Sequence, residues 1–178
     1  VSGGKTIAEN FVIRDIGVGL NFSTLGAIRS TGGDNTLTGT ITLFDDSAFG
    51  VDDASKLTIN GQIMMAPSAS LSGDAGFTKF GAGTLVVGGT GDNVVTGAVA
   101  IIEGTLELNK TGGATPFSGD LVIGDNRGVA GPTAVVKLNG PNQIPELNFY
   151  KTGINTVNVS SHGKLDLNGQ SDTIGNLH

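Results

Sequence analysis

Residues 83–109 read GTLVVGGTGDNVVTGAVAIIEGTLELN, opening on Gly83-Thr84-Leu85-Val86-Val87 and closing on Gly104-Thr105-Leu106-Glu107-Leu108-Asn109. In each phrase the aliphatics alternate, Leu85 with Val87 and Leu106 with Leu108. A period of two places both aliphatics on one face of a β-strand. A phrase this plain, repeated at short range and almost without reactive side chains, points to one unit of a stack.

The same phrase runs through the chain six times: KLTING (56–61), TLVVGG (84–89), TLELNK (105–110), DLVIGD (120–125), VVKLNG (135–140) and KLDLNG (164–169). Its paired aliphatics are Leu57 and Ile59, Leu85 and Val87, Leu106 and Leu108, Leu121 and Ile123, Val136 and Leu138, and Leu165 and Leu167. The residue after each pair is Asn60, Gly88, Asn109, Gly124, Asn139 or Asn168, the two types that most readily accept positive φ. A left-handed corner is expected at each, with the Asn amides able to bond along the stack. A second echo, GDNTLTG (33–39) and GDNVVTG (91–97), suggests equivalent positions two or three coils apart.

The first aliphatics of successive copies stand 28, 21, 15, 15 and 29 residues apart, and TVNVS (156–160) reads as an extra strand within a long interval. Short strands at irregular spacing near 20 residues, without helical periodicity, fit a parallel β-helix whose coils pair ~4.8 Å apart. An antiparallel sandwich also has many short strands, but it gives no reason for one motif and one corner residue to recur.

These residues resemble the passenger-associated repeat of bacterial autotransporter proteins, K-x-G-x-GTL-x-L-x-G, then Asn-x-x-TG, then x-x-GTL. The match runs from Lys79-Phe80-Gly81-Ala82-Gly83-Thr84-Leu85 through Asn93-Val94-Val95-Thr96-Gly97 to Gly104-Thr105-Leu106, and the closing KLDLNGQSDTIGNL is in the same style. The resemblance implies a right-handed β-helix that is secreted or displayed at a bacterial cell surface. It implies no activity, because the motif belongs to the scaffold. Neither a signal peptide nor a translocating barrel is recognisable, so the expected context is a passenger fragment or another surface polymer.

Composition agrees. The 178 residues include 30 Gly, 5 Pro, no Cys and no Trp, and 38% are hydrophobic, enough for one folded domain with many turns. A net charge of −6, from ten basic against sixteen acidic residues, argues against nucleic acid as a partner. No apolar run approaches the ~20 residues of a membrane-spanning helix.

Candidate chemistry is sparse. The acid pairs Asp45-Asp46 and Asp52-Asp53 carry oxygens suited to Ca²⁺, which takes six to eight such ligands, but they fit no EF-hand and read better as a solvated turn. GGTGDNV (88–94) approaches a Ca²⁺-binding nonapeptide, yet Asn93 stands where Asp is needed and no tandem copy follows. For a polysaccharide hydrolase or lyase the available groups are Glu103, Glu107 and Asp120, or Asp125 with Arg127, none at a diagnostic spacing. His162, in SSHGK, reads as an exposed turn residue, and neither it nor His178 has a catalytic partner at a recognisable distance. Tyr150 is the single Tyr. Phe77 and Phe80 read as packing between coil and loop, and Phe11, Phe22, Phe44, Phe49, Phe117 and Phe149 as core or loop anchors.

The expectation is therefore an all-β fold, a single right-handed, single-stranded parallel β-helix over residues 1–178. At ~22 residues per coil it has about eight coils, ~35–40 Å in all. The expected role is structural: a stalk, fibre or adhesin passenger, extracellular or on the bacterial outer surface, with no catalytic, cofactor-binding or metal residue assigned. A polysaccharide-binding or polysaccharide-degrading β-helix is the rival. Neither end reads as a cap, so end-to-end self-association or covalent continuation into further coils is expected, with a cell-surface or glycan ligand left open.

Overall fold

The structure is a computed structural model, and residues 1–14, 26–67, 74–125, 133–148 and 153–178 are described. Among them every element is a strand, in rungs that wind around three faces. The first rung contains β1 (Thr6–Ile7), β2 (Phe11–Ile13) and β3 (Ile28–Ser30). The second contains β4 (Gly33–Leu37), β5 (Ile41–Leu43) and β6 (Ser47–Val51), and the third β7 (Ser55–Ile59), β8 (Ile63–Met65) and β9 (Phe77–Phe80). The fourth and fifth carry β10 (Thr84–Gly89) with β11 (Val99–Ile101), and β12 (Gly104–Lys110) with β13 (Leu121–Ile123). The sixth carries β14 (Ala134–Leu138), a short hairpin of β15 (Leu147–Asn148) and β16 (Gly153–Ile154), then β17 (Thr156–Val159). The seventh holds β18 (Gly163–Asp166) and β19 (Asn176–Leu177).

Strands one rung apart pair in parallel. The first sheet runs β1-β4-β7-β10-β12-β14-β18, the second β3-β6-β9-β11-β13-β17-β19, and the third β2-β5-β8. Only β15 and β16 pair antiparallel among the described strands. This is the expected parallel β-helix.

In the first sheet Leu57, Leu85, Leu106, Val136 and Leu165 fall in one column, with Ile59, Val87, Leu108 and Leu138 in the next inward column. Apart from the half-buried Leu165, all of these are at most 1% exposed. Removing each such side chain from water contributes about 1.5–3 kcal/mol, and the stack lets every rung do this for its neighbours. The second sheet faces inward with Phe49, Phe77, Val99, Leu121 and Val157. The Phe49 and Phe77 rings meet edge to face at 5.3 Å and 78°.

The third face begins as regular strand and ends as turns. After β8 its ladder is reduced, among the described residues, to a single bridge between Met64 and Val94. Pro116, Pro141 and Pro145 lie in the later rungs of this face, and proline supplies no amide to a ladder.

Three expectations are corrected. Seven rungs are present among the described residues rather than about eight, because the register steps of the first sheet, such as Thr36 to Thr58 and Glu107 to Lys137, range from 21 to 30 residues. DLVIGD belongs to a different column from its five counterparts: β13 pairs with β11 and β17 in the second sheet. The two GDN echoes are not equivalent either, since Gly33–Leu37 is a strand of the first sheet and Asn93 lies on the third face beside Ile63.

The corners also differ. Of the six corner residues, only Gly124 (φ 85°) and Asn168 (φ 51°) are left-handed. At 88 and 109 the strand continues through Gly88-Gly89 and Asn109-Lys110, and the positive φ in the first of these falls one residue later, at Gly89 (85°).

Candidate functional site

Where a rung turns between faces its amides leave the ladder, and unpaired buried amides are costly. This chain satisfies them with side-chain oxygens from a neighbouring rung. Lys5 N donates to Asn35 Oδ1 (2.9 Å), Thr40 N to Asn10 Oδ1 (2.8 Å), Gly76 N to Asp46 Oδ1 (2.8 Å) and Thr115 N to Asp92 Oδ1 (2.7 Å). Thr156 N donates to Asp120 Oδ1 (2.8 Å), and Lys110 N to Gln143 Oε1 (2.8 Å).

The densest of these corners centres on Asn93, which is 2% exposed. Its Oδ1 accepts from Ile63 N (2.9 Å) in the third rung and from Lys110 Nζ (2.9 Å) in the fifth, while its Nδ2 donates to Pro116 O (3.0 Å). Lys110 Nζ also donates to Gly91 O (2.7 Å). One carboxamide thus ties three rungs together.

A second lysine holds a different corner. Lys79 is fully buried, and its Nζ donates to the carbonyls of Phe80 (3.3 Å), Gly81 and Glu103 (2.9 Å). Burial pushes the Lys79 amine down to about 8 against the pull of the Glu103 charge, and it pushes Lys110 down to about 8 against that of Asp92. Sequence reasoning passed over both lysines, although a signal was present. Lys79 follows Phe77 by two residues and Lys110 follows Leu108 by two, so each sits on an inward column.

The residues proposed for chemistry are dispersed. Asp46 and Asp52 are occupied, the first by Gly76 N and the second by Arg29, whose Nε and Nη2 donate to Oδ1 and Oδ2 at 2.9 and 2.8 Å. Asp53 Oδ1 accepts from its neighbour Ala54 N. Among the described residues no group of three or more His, Cys, Asp or Glu side chains is gathered as a metal site. Glu103 lies on the turn into β12, Glu107 faces outward from the first sheet with Asn139 Nδ2 on its Oε2 (3.1 Å), and Asp120 precedes β13 in the second. Asp125 is described, but Arg127 is not, nor are Phe22, Phe149 and Tyr150.

His162 is a correction. It is only 8% exposed, its carbonyl accepts from Thr133 N and Ala134 N, and its Nδ1 lies 3.1 Å from Ser161 Oγ. The turn lays the histidine's backbone against Thr133 and the start of β14. Phe49, Phe77 and Phe117 are buried, whereas Phe11, Phe44 and Phe80 are half-buried.

An open groove of about 300 Å³ lies on the third face of the last three rungs, lined by Pro116, Ile144, Pro145, Glu146, Leu147 and Asp172 among others. Asp172 Oδ2 accepts from Gln143 N (2.6 Å) and Ile144 N (3.1 Å), while Oδ1 is buried with no hydrogen-bond partner among the described residues. Burial raises the Asp172 carboxyl and the charge of Glu146 adds to this, against the backbone amides that it accepts.

No family model, curated protein or solved structure matches this chain. No helix among the described residues is long and apolar enough to cross a membrane.

Proposed function

We propose that this chain is a structural segment of an extracellular bacterial β-solenoid, acting as a stalk, surface fibre or adhesin passenger. The observation that carries this reading is the single column in which five copies of the motif strand stack in register. The buried polar side chains of its corners serve the stack itself, since Asn93, Lys79 and Lys110 spend their hydrogen bonds on joining rungs. The outward column of the first sheet, Thr58, Val86, Glu107, Lys137 and Asp166, repeats no binding chemistry.

The ends support association along the axis. Leu167 and Leu177 continue inward columns yet are 43% and 63% exposed, where Leu138 and Val157 one rung earlier are 0% and 1% exposed. A further coil, from the same chain or from a second copy, would bury them and pair the free edges of β18 and β19. The test is electron microscopy of the native material with sedimentation of the isolated chain. Axial filaments or a continuous longer solenoid are expected, and a strictly monomeric globule in both settings overturns the reading. A glycan-binding role has the groove at Ile144 and Asp172 in its favour, and saturable binding of surface polysaccharide lost in Ile144→Asp would support it.

A further inference from the structure

The outer corner that follows the first sheet carries its own column: Asn60, Gly88, Asn109, Asn139 and Asn168, each following the last inward aliphatic of its strand. Three members precede glycine, in Asn60-Gly61, Asn139-Gly140 and Asn168-Gly169. A glycine amide has no Cβ beside it to hinder attack on the preceding side-chain carbonyl carbon. Such a pair closes a five-membered ring when both the carboxamide and the amide are free to meet, and the three corners differ in that freedom.

At Asn60 the nucleophile is held. Gly61 N donates to Leu37 O (3.3 Å), and Gly61 lies so close to the rung below that a Cβ on it would stand 1.9 Å from Gly39 O. At Asn139 it is the carboxamide that is held: Nδ2 donates to Glu107 Oε2 (3.1 Å) and Oδ1 accepts from Asn168 Nδ2 (3.5 Å). At Asn168 neither restraint is complete. The residue is exposed, nothing among the described residues donates to its Oδ1, and no atom lies within 4 Å of where a Gly169 Cβ would be. Its side-chain tether is Nδ2 to Leu138 O (3.0 Å) and to Asn139 Oδ1 (3.5 Å), and its backbone is held by Asn168 N to Asp166 Oδ1 (2.9 Å) and by Gln170 N to Leu167 O (2.8 Å), neither of which engages Gly169 N or the Asn168 Oδ1.

We propose that Asn168-Gly169 is a self-modification site, an intramolecular deamidation centre whose conversion releases the next corner, Asn139, in turn. The Gly169 nitrogen loses its proton to hydroxide and bonds to Asn168 Cγ; the Cγ–Nδ2 bond breaks as Nδ2 takes a proton from water, and ammonia leaves. Water then adds to one of the two carbonyls of the succinimide and opens it to an aspartyl or isoaspartyl residue. No oxidant or reductant is needed. The new carboxylate cannot donate to Leu138 O, and it removes the donor that restrains Asn139 Oδ1. The isoaspartyl product also adds a methylene to the main chain at a left-handed corner. Conversion therefore proceeds from the seventh rung inward, Asn168 before Asn139, with Asn60 last. The inference holds for the 178-residue chain with its seventh rung uncovered; a further coil stacked on that rung, as proposed above, would cover Asn168 and Gly169 and slow their conversion.

The experiment is timed peptide mapping of the folded 178-residue chain at mildly alkaline pH, separating aspartyl from isoaspartyl products, with the urea-unfolded chain as reference. In the unfolded chain the three sites should convert at similar rates. In the folded chain Asn168 should convert at least ~10-fold faster than Asn139, a ratio equivalent to about 1.4 kcal/mol of local restraint. The Asn168→Asp variant should accelerate Asn139, and Asn168→Gln, whose ring closure is slower, should not. Conversion of Asn60 or Asn139 as fast as Asn168 in the folded chain overturns the proposal, as does an Asn139 rate unchanged by Asn168→Asp.

Discussion

Lys110 Nζ lies 2.9 Å from Asn93 Oδ1, so a side chain at the end of β12 in the fifth rung holds the turn of the fourth. Replacing Lys110 by Met keeps the aliphatic stem but leaves Gly91 O and Asn93 Oδ1 each short of a donor. Chemical denaturation should show a loss of about 1–3 kcal/mol. An unchanged midpoint would mean that water replaces the ammonium without cost.

The two buried lysines set a pH dependence of definite sign. Both have folded values of about 8 against an ordinary 10.5, so between those pH values the unfolded chain binds more protons than the folded one. Stability should therefore rise through this window, the cost of burying the charged amines being fully present below it. Comparing the slope of unfolding free energy against pH in the wild-type chain and in Lys110→Met isolates one lysine, and the variant slope should be shallower.

Leu106 and Glu107 are adjacent in sequence and opposite in environment. Leu106→Asp places an unpaired carboxylate between Leu85 and Val136, at a cost of about 4 kcal/mol. Glu107→Lys is milder but not neutral. It sets one lysine directly beside Lys137 in the register and removes the acceptor of Asn139 Nδ2, for about 0.5–1 kcal/mol. Equal denaturation midpoints for the two variants would contradict the register.

The left-handed corner at Asn168 separates it from Asn109. A β-branched residue is strained at φ 51°, so Asn168→Val should lower stability by about 1–2 kcal/mol, while Asn109→Val, in extended strand, should change it by less than about 0.5 kcal/mol. Thermal melting of the pair decides this, and a Val at 109 that melts as low as one at 168 would contradict the assignment.

The stacking of the first sheet was legible because alternation of aliphatics is a direct image of strand geometry, and five phrases carry it. The sixth, DLVIGD, was misplaced because a rung has more than one inward-facing strand: Leu121 and Ile123 satisfy the same alternation on another face. The corner residues misled for a related reason. Asn and Gly permit a positive φ but do not demand one, and at Asn109 the parallel pairing with Gly88 keeps the backbone extended. His162 looked like an exposed turn residue and is a turn residue, yet its turn lies against the preceding rung and leaves it only 8% exposed. The corner at Asn93 was least legible, since its chemistry is assembled from Ile63, Lys110 and Pro116, residues of the rungs on either side that no local pattern brings together.

The winding of the rungs has a mechanical meaning. Strands lie across the axis, so a pull along the axis acts on the bonds between rungs rather than along the covalent chain. Each rung that peels away releases the 21 to 30 residues of one register step, roughly 70–100 Å of contour in place of a ~4.8 Å rise. Under load such a rod lengthens by discrete yields, one coil at a time. The turn at Asn93, fastened to the coils on either side, marks where the next yield must wait for a larger force.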